Sequence, residues 1–287
     1  MELSFVVTPA YDGACLRDFL RFKGVSATLM KGVKYETGGF WVEDGPARTC
    51  DIVHAGQLVT FTLPPEPPTT VEPEDLPLNI VYESAHAMVL EKPAGMAVHP
   101  TLNYKDGTLA NAYMGLLRQR GQTGVFRPVN RLDKDTSGLV LCARNAYAAP
   151  ILAQSAQKVY RAVLQGQLPQ AEGCIEAPID RAPGSIILRC VSPQGKPSTT
   201  QYRQEKVWGP FSLVAAVPVT GRTHQLRVHF AHLGCPLAGD ELYGGNRLEI
   251  GRHALHCARM QFAEPANGRT IVLESQLPAD MARLVQE

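Results

Sequence analysis

The sequence predicts an α+β fold: a mixed, mostly antiparallel central sheet flanked by a few helices, preceded by a small α/β module. Three observations carry this. Beyond residue 78, apolar and β-branched stretches outnumber helical ones, which disfavours the regular strand–helix alternation of a doubly wound sheet. Residues 64–77, PPEPPTTVEPEDLP, hold six prolines, four acids and no hydrophobic period, and so read as a stiff, extended linker. Ahead of it, two helical patterns and a small β pattern fit within residues 1–63. The chain therefore divides into a module at 1–63, the linker at 64–77 and a large unit at 78–287.

The elements follow in order. Leu16, Phe19 and Leu20 share a helical face that Gly24 can end, and Ser26 can cap a second helix carrying Leu29, Met30 and Val33. FWVEDGPA joins strand residues to an Asp-Gly turn, and GQLVTFTLP alternates Val59, Phe61 and Leu63 on one face. NIVYES and AMVLEKPAG read as neighbouring strands. Thr108 can cap a helix bearing Leu109, Ala112, Leu116 and Leu117, and Asn145 another running towards Lys158. KVYRAVLQG, SIILRCV, TQYRQEKVW and FSLVAAVPV read as strands. In RTHQLRVHFAHLG, Leu226, Phe230 and Leu233 share a helical face, and Gly234 suits its stop.

Composition excludes several classes. Hydrophobic residues at 45% and charged residues at 19% fit a globular protein. No basic segment leads into an apolar run at the start, and no apolar run is long enough to span a bilayer, so neither a signal peptide nor a membrane partner is expected. Seven scattered cysteines without a CxxC pair indicate neither a zinc site nor a disulfide framework, and suggest reduced thiols in a cytoplasmic protein. No glycine-rich phosphate loop is present, so no nucleotide cofactor is expected. Charge is uneven: residues 1–63 carry a net −1 and residues 78–287 a net +6, so an acidic partner is expected to meet the large unit.

The stretch RPVNRLDKDTSGLVLCAR, residues 127–144, crowds Arg131, Asp133, Lys134 and Asp135 into a turn that runs straight into an apolar segment. Asp, Thr, Ser and Gly are ordinary turn formers, and a carboxylate beside a Lys is usually solvated. The other reading is a carboxylate nucleophile held at a strand edge. Composition of the turn leaves both open.

NRLDKDTSGLVL resembles the central motif of the RluA-type pseudouridine synthases, His-Arg-Leu-Asp-x-x-Thr-Ser-Gly followed by aliphatics. GRTHQLRVHFAHLGCPLAGDELYG, residues 221–244, resembles that family's Gly-Arg-Thr-His-Gln-hydrophobic-Arg motif. EKPAGMAVHP, KVYRAVLQG, GKPSTTQY and LHCARMQF match further blocks in the family's order, over residues 78–280. The resemblance implies the pseudouridine synthase fold and an RNA uridine isomerase. Its expected substrate is large-subunit ribosomal RNA, with transfer RNA as the alternative; it is expected to act as a monomer. The reaction breaks a carbon–nitrogen glycosidic bond, turns the base and forms a carbon–carbon bond, which implies no cofactor and no metal. Residues 1–63 resemble the S-four-like RNA-binding fold, although Ala27 and Thr28 stand where that fold commonly offers a basic residue.

By the same resemblance Asp133 is the catalytic carboxylate, Arg227 its ionic partner, and Tyr160 the ring that stacks on uracil and takes part in removing the carbon-5 proton. Burial alone would raise the pKa of such an aspartate, and a guanidinium opposes that rise. Arg131 is implied to fill the stack vacated by a flipped uridine. Lys92, His99, Lys196, Arg222 and His224, with His256, fall in matched blocks and are assigned to RNA contact or support. Asn130 stands where the family usually has His. Activity survives this change if that His is structural, and RNA affinity falls if it binds phosphate. His224, His229 and His232 lie close in sequence, but helical geometry turns His224 away from the other two, so a three-histidine metal site is not expected. Two competing readings are a non-catalytic RNA-binding relative and a glycoside hydrolase; the latter needs two carboxylates, and Asp135 is not marked as a partner for Asp133.

Overall fold

The computed structural model describes residues 1–102 and 104–286. Its first part contains β1 (Glu2–Val6), β2 (Ala14–Cys15), α1 (Leu16–Phe22), α2 (Ala27–Glu36), β3 (Phe40–Val42), β4 (Gly45–Ala47), β5 (Ile52–Val53) and β6 (Leu58–Thr62). β1, β6, β3 and β4 form an antiparallel sheet in that order. Ser26 caps α2 by accepting the Leu29 N–H. Leu16, Phe19, Leu20, Val33, Phe40, Val59 and Phe61 make the module's core, and Tyr147 of the large unit joins it. The Tyr147 hydroxyl donates to the Lys23 carbonyl at 3.0 Å, so the module is seated on the large unit.

Residues 64–78 form no helix or strand, but they are not a free spacer. Asn111 donates its side-chain amide to the Glu72 carbonyl at 2.9 Å, and the Glu74 carboxylate accepts the Gly107 N–H. A Cβ on Gly115 would lie 1.9 Å from the Glu74 carbonyl oxygen, so only glycine lets the strap lie this close to its helix.

The large unit contains β7 (Asn79–Glu83), β8 (Ala87–Lys92), α3 (Leu109–Gln119), β9 (Arg127–Pro128), β10 (Ser137–Ala143), α4 (Ala148–Ser155), β11 (Gln157–Gln165), β12 (Glu172–Glu176), β13 (Ile179–Arg181), β14 (Arg189–Val191), β15 (Thr199–Trp208), β16 (Phe211–Pro218), α5 (Gln225–His232), β17 (Leu255–Ala263), β18 (Thr270–Glu274) and α6 (Ala279–Ala282). The main sheet runs β12-β15-β16-β11-β17-β10-β8-β7, with β18 on β17 and β9 on β10. β10 and β17 are parallel; the remaining pairings are antiparallel. Every residue of β10 is buried, because this central strand is covered on both faces. That explains why Gly138–Ala143 is continuously apolar instead of alternating. The parallel pairing brings backbones so close at Gly138 (φ +109°) that a Cβ would lie 2.3 Å from the Cys257 carbonyl oxygen.

Local signals behave as their chemistry requires. Thr108 and Asn111 form a reciprocal capping box on α3, and Asn145 accepts the Ala148 N–H at the start of α4. α4 stops at Ser155, short of Lys158, because β11 has already begun. SIILRCV departs from expectation: only Arg189–Val191 is strand, in a separate hairpin with β13. The Ser185 hydroxyl accepts the N–H groups of Ile187 and Leu188, which bends the preceding residues into a turn and leaves Ile186 and Ile187 in solvent. Among the described residues, no helix is long and apolar enough to cross a membrane.

Candidate active site

Residues 129–136 link β9 to β10, and every anchor of this loop is specific. Lys92 donates to the carbonyls of Pro93, Met96 and Lys134 at 2.7–2.9 Å. Arg252 donates to the Asp135 carbonyl at 3.1 Å and is itself held by Asp280. The Thr136 hydroxyl meets His253 Nε2 at 2.8 Å, and the Ser137 hydroxyl meets His256 Nδ1 at 2.9 Å. A loop tied at four consecutive residues presents its side chains with little freedom.

Asn130 is buried and spans β10 like a missing peptide: its amide donates to the Leu139 carbonyl at 3.1 Å, and its oxygen accepts the Leu141 N–H at 2.8 Å. Both ends are used on backbone, so its place here is structural. Asn130→Ala is expected to lower stability by about 2 kcal/mol, from two buried bonds lost, with RNA affinity unchanged; urea unfolding and filter binding would check both halves.

The loop delivers Asp133 to the side chains of α5. Arg227 donates to Asp133 Oδ2 at 3.2 Å and, through its Nε and Nη2, makes a two-pronged pair with Asp240 at 2.7 Å on each prong. Asp133 keeps 31% of its side-chain surface, whereas Arg227 and Asp240 are buried. Burial alone would lower the Arg227 pKa, but the bonds and charge of Asp240, and then of Asp133, outweigh it and leave the pKa raised. The guanidinium is therefore permanent, and one buried carboxylate fixes it while the other faces the opening. His224 Nε2 also faces Asp133 Oδ2, at 3.8 Å. Oδ1 accepts no hydrogen bond among the described residues. One oxygen is held and one is free to react.

Tyr160, on β11, is buried close enough to Asp133 to feel its charge. Burial pushes its pKa well above the ordinary value, helped by nearby Cys257 and by the Asp133 charge. It is a neutral phenol at physiological pH, so it can pass a proton but does not rest as a phenolate base.

The residues assigned to RNA separate into three groups. Arg131 is exposed and has no side-chain partner among the described residues; Lys196 and Arg222 are also exposed, with Arg222 Nε donating to the Pro197 carbonyl at 3.2 Å. His99 is half-buried, edge-on to Phe126, with its pKa lowered by burial and by Arg131. Lys92 requires correction: it is fully buried and turned onto three carbonyls, so it supports the loop and offers nothing to RNA. Burial brings its pKa down to about 7, against the opposing charge of Asp135. His224 lies against the carboxylate, and His256 is an internal brace between Ser137 and Ser275. His229 is also buried, between Thr200 and the Ala177 carbonyl, while His232 is exposed.

Sequence reasoning missed three residues. Asp240 and Tyr243 lay inside the quoted 221–244 motif but carried no assigned role. Gln225 uses all its capacity, accepting from Thr220 and Arg222 and donating to Thr199 and Thr200, and so fixes the turn before α5.

A half-open carboxylate beneath a buried guanidinium, in a mostly antiparallel α+β sheet, is an arrangement able to serve nucleophilic or general-base chemistry. Comparison agrees. The profile of a family described as RNA pseudouridylate synthase matches residues 86–232. An uncharacterized RNA pseudouridine synthase of Bacillus subtilis is 36% identical, over 92% of this chain and 95% of its own. Ribosomal large subunit pseudouridine synthase D of Xanthomonas campestris is 36% identical, over 92% and 88%. The solved human RNA pseudouridylate synthase domain containing 1 is 30% identical, with a TM-score of 0.57, covering 73% of this chain and 86% of that one. The chain belongs to the RNA pseudouridylate synthase family, in its RluA-type branch, and is an RNA pseudouridine synthase, an isomerase.

Proposed function

We propose that Asp133 is the catalytic carboxylate and that the substrate uridine lies in large-subunit ribosomal RNA. The observation that carries the first part is the shared guanidinium: Arg227 is locked by buried Asp240 and reaches one oxygen of a half-open Asp133. Oδ1 is the oxygen that engages the flipped nucleoside, Arg227 keeps the carboxylate ionised and oriented, and Tyr160 stacks on the base and relays a proton as a neutral phenol. Support for the substrate is the similarity to synthases named for the large ribosomal subunit, together with the net +6 of residues 78–287.

Arg131 is the wedge. Its exposed, unpartnered guanidinium stands two residues from Asp133 and can stack where the uridine leaves. Arg131→Lys is expected to lower kcat/KM on folded RNA about tenfold, the worth of roughly one stacking contact, and to leave turnover of an unpaired oligonucleotide unchanged. Equal loss on both substrates sinks the wedge.

Pseudouridine mapping of RNA from cells lacking the protein tests the substrate. A site missing from large-subunit RNA is expected. A site missing only from transfer RNA replaces the substrate, and no missing site overturns the reading.

A further inference from the structure

The mechanism so far leaves His224 without a task, yet the chain strains to place it. His224 precedes α5 with φ +57°, one of two non-glycine residues in the left-handed region among the described residues. Such backbone is strained for a residue with a Cβ and persists where surroundings enforce it. The ring is held from behind: Nδ1 lies 2.7 Å from the Tyr243 hydroxyl, and the two rings meet edge-on. The same hydroxyl accepts the backbone N–H of Arg189, on β14, at 3.1 Å. The Arg227 guanidinium lies 4.9 Å from the centre of the Tyr243 ring.

These contacts fix hydrogens. Among the described residues the Tyr243 hydroxyl has two neighbours, and the Arg189 N–H can only donate to it. Its own hydrogen is satisfied only by His224 Nδ1. If Nδ1 carried the proton instead, the phenolic hydrogen would have no acceptor among the described residues and the Nε2 lone pair would face the Asp133 carboxylate. Burial disfavours the charged form of each partner: the pKa of His224 falls, against the Asp133 charge, and that of Tyr243 rises, so a neutral imidazole meets a neutral phenol.

We propose that Tyr243 is a positioning residue that locks His224 as its Nε2–H tautomer, so that a fixed neutral donor faces the Oδ2 side of Asp133. Arg227 holds the same oxygen and His224 offers a second donor on that side, so Oδ1 is left as the reacting atom. The 3.8 Å gap at Nε2 exceeds a hydrogen bond, so the donor is unspent until the nucleoside arrives and brings an acceptor oxygen or draws the carboxylate across. Because Arg189 takes part, seating of the β13–β14 hairpin is coupled to the orientation of His224. The proposal rests on Asp133 as the catalytic carboxylate.

Nitrogen-15 NMR of histidine-labelled full-length protein at neutral pH reads the tautomer directly, without any variant. The expected result is His224 protonated at Nε2 alone. An Nδ1–H ring or an imidazolium overturns the lock. Tyr243→Phe keeps the ring beneath Arg227 and removes only the hydroxyl. It is expected to shift His224 towards Nδ1–H and to lower kcat about tenfold with KM nearly unchanged, the effect of one lost hydrogen bond. His224→Gln supplies an amide donor that has no tautomer to lose, so adding Tyr243→Phe to it is expected to cost little more. An equal cost in both backgrounds shows plain support by Tyr243 and overturns the proposal. Tyr243→Phe at full rate while Asp133→Asn is inert also overturns the lock alone; Asp133→Asn at full rate overturns the reading beneath it.

Discussion

Asp133→Asn is expected to abolish pseudouridine formation, by about 10⁴-fold, while the protein stays folded and still binds RNA. The amide is nearly the same shape but carries no charge and cannot serve as nucleophile or base. The argument for an intact fold lies in Asp240. Breaking a buried ion pair by removing one partner costs about 3–5 kcal/mol, because a bare charge is left inside. Here the Arg227 guanidinium keeps both bonds to Asp240 when Asp133 is neutralised, so no bare charge results. Stability is expected to change by less than about 1 kcal/mol. Asp240→Asn is the contrasting case: it strips the buried side of the pair, and loss of stability should accompany loss of activity. Isomerisation turns carbon 5 into the glycosidic carbon and frees its hydrogen, so tritium release from RNA labelled at carbon 5 measures the reaction. Substantial release by Asp133→Asn would refute the assignment.

The parts of the fold that were legible in sequence are those decided locally. Ser26, Thr108 and Asn145 satisfy N–H groups within three residues of themselves, so a one-dimensional reading finds them. The apolar run in β10 was visible for the same reason. Failures came where distant backbone decides. Lys92 ends β8 just before Pro93 and is assigned by resemblance to RNA contact or support; three carbonyls, one from the Asp133 loop, make it internal. Asp240 is placed by a turn at Gly239 (φ +76°), where a Cβ would lie 2.0 Å from the Arg252 carbonyl oxygen. No spacing rule connects 227 to 240 without that turn. Asn130 could be read from sequence as structural or as a weakened phosphate contact, and the choice depends on the two β10 backbone groups it bridges. SIILRCV has a strand's composition, but Ser185 captures its N–H groups first. The resemblance to a family supplied Asp133, Tyr160 and Arg227; neighbours in space supplied what holds them.

The same bracing makes stability sensitive to mild acid. His253 and His256 hold Thr136 and Ser137, and their pKa values are lowered to about 4. Burial is the main cause in each. Arg227 adds to it at His253, while at His256 the Glu91 charge opposes it. The unfolded chain returns both to the ordinary value near 6.5. Between about pH 6.5 and 4 the unfolded state therefore binds more protons, and stability falls as pH falls through this window. Their contribution is whole above pH 6.5 and gone below pH 4. From pH 7.5 to pH 5 each histidine is expected to cost about 2 kcal/mol, so the pair costs about 4 kcal/mol, a large part of the 5–15 kcal/mol of a typical domain. His86, His99, His224 and His229 are lowered too and act in the same direction. The salt-bridged Asp280, whose pKa is lowered from 3.8, is lost only in stronger acid, so it does not share the window. Urea midpoints measured at intervals from pH 7.5 to 5 should fall steadily, and His253→Gln should flatten the slope by removing one titrating group. A flat wild-type profile would mean that neither ring is held neutral. Because both rings grip the segment bearing Asp133, turnover should decline with the same midpoint as stability and recover on return to neutral pH.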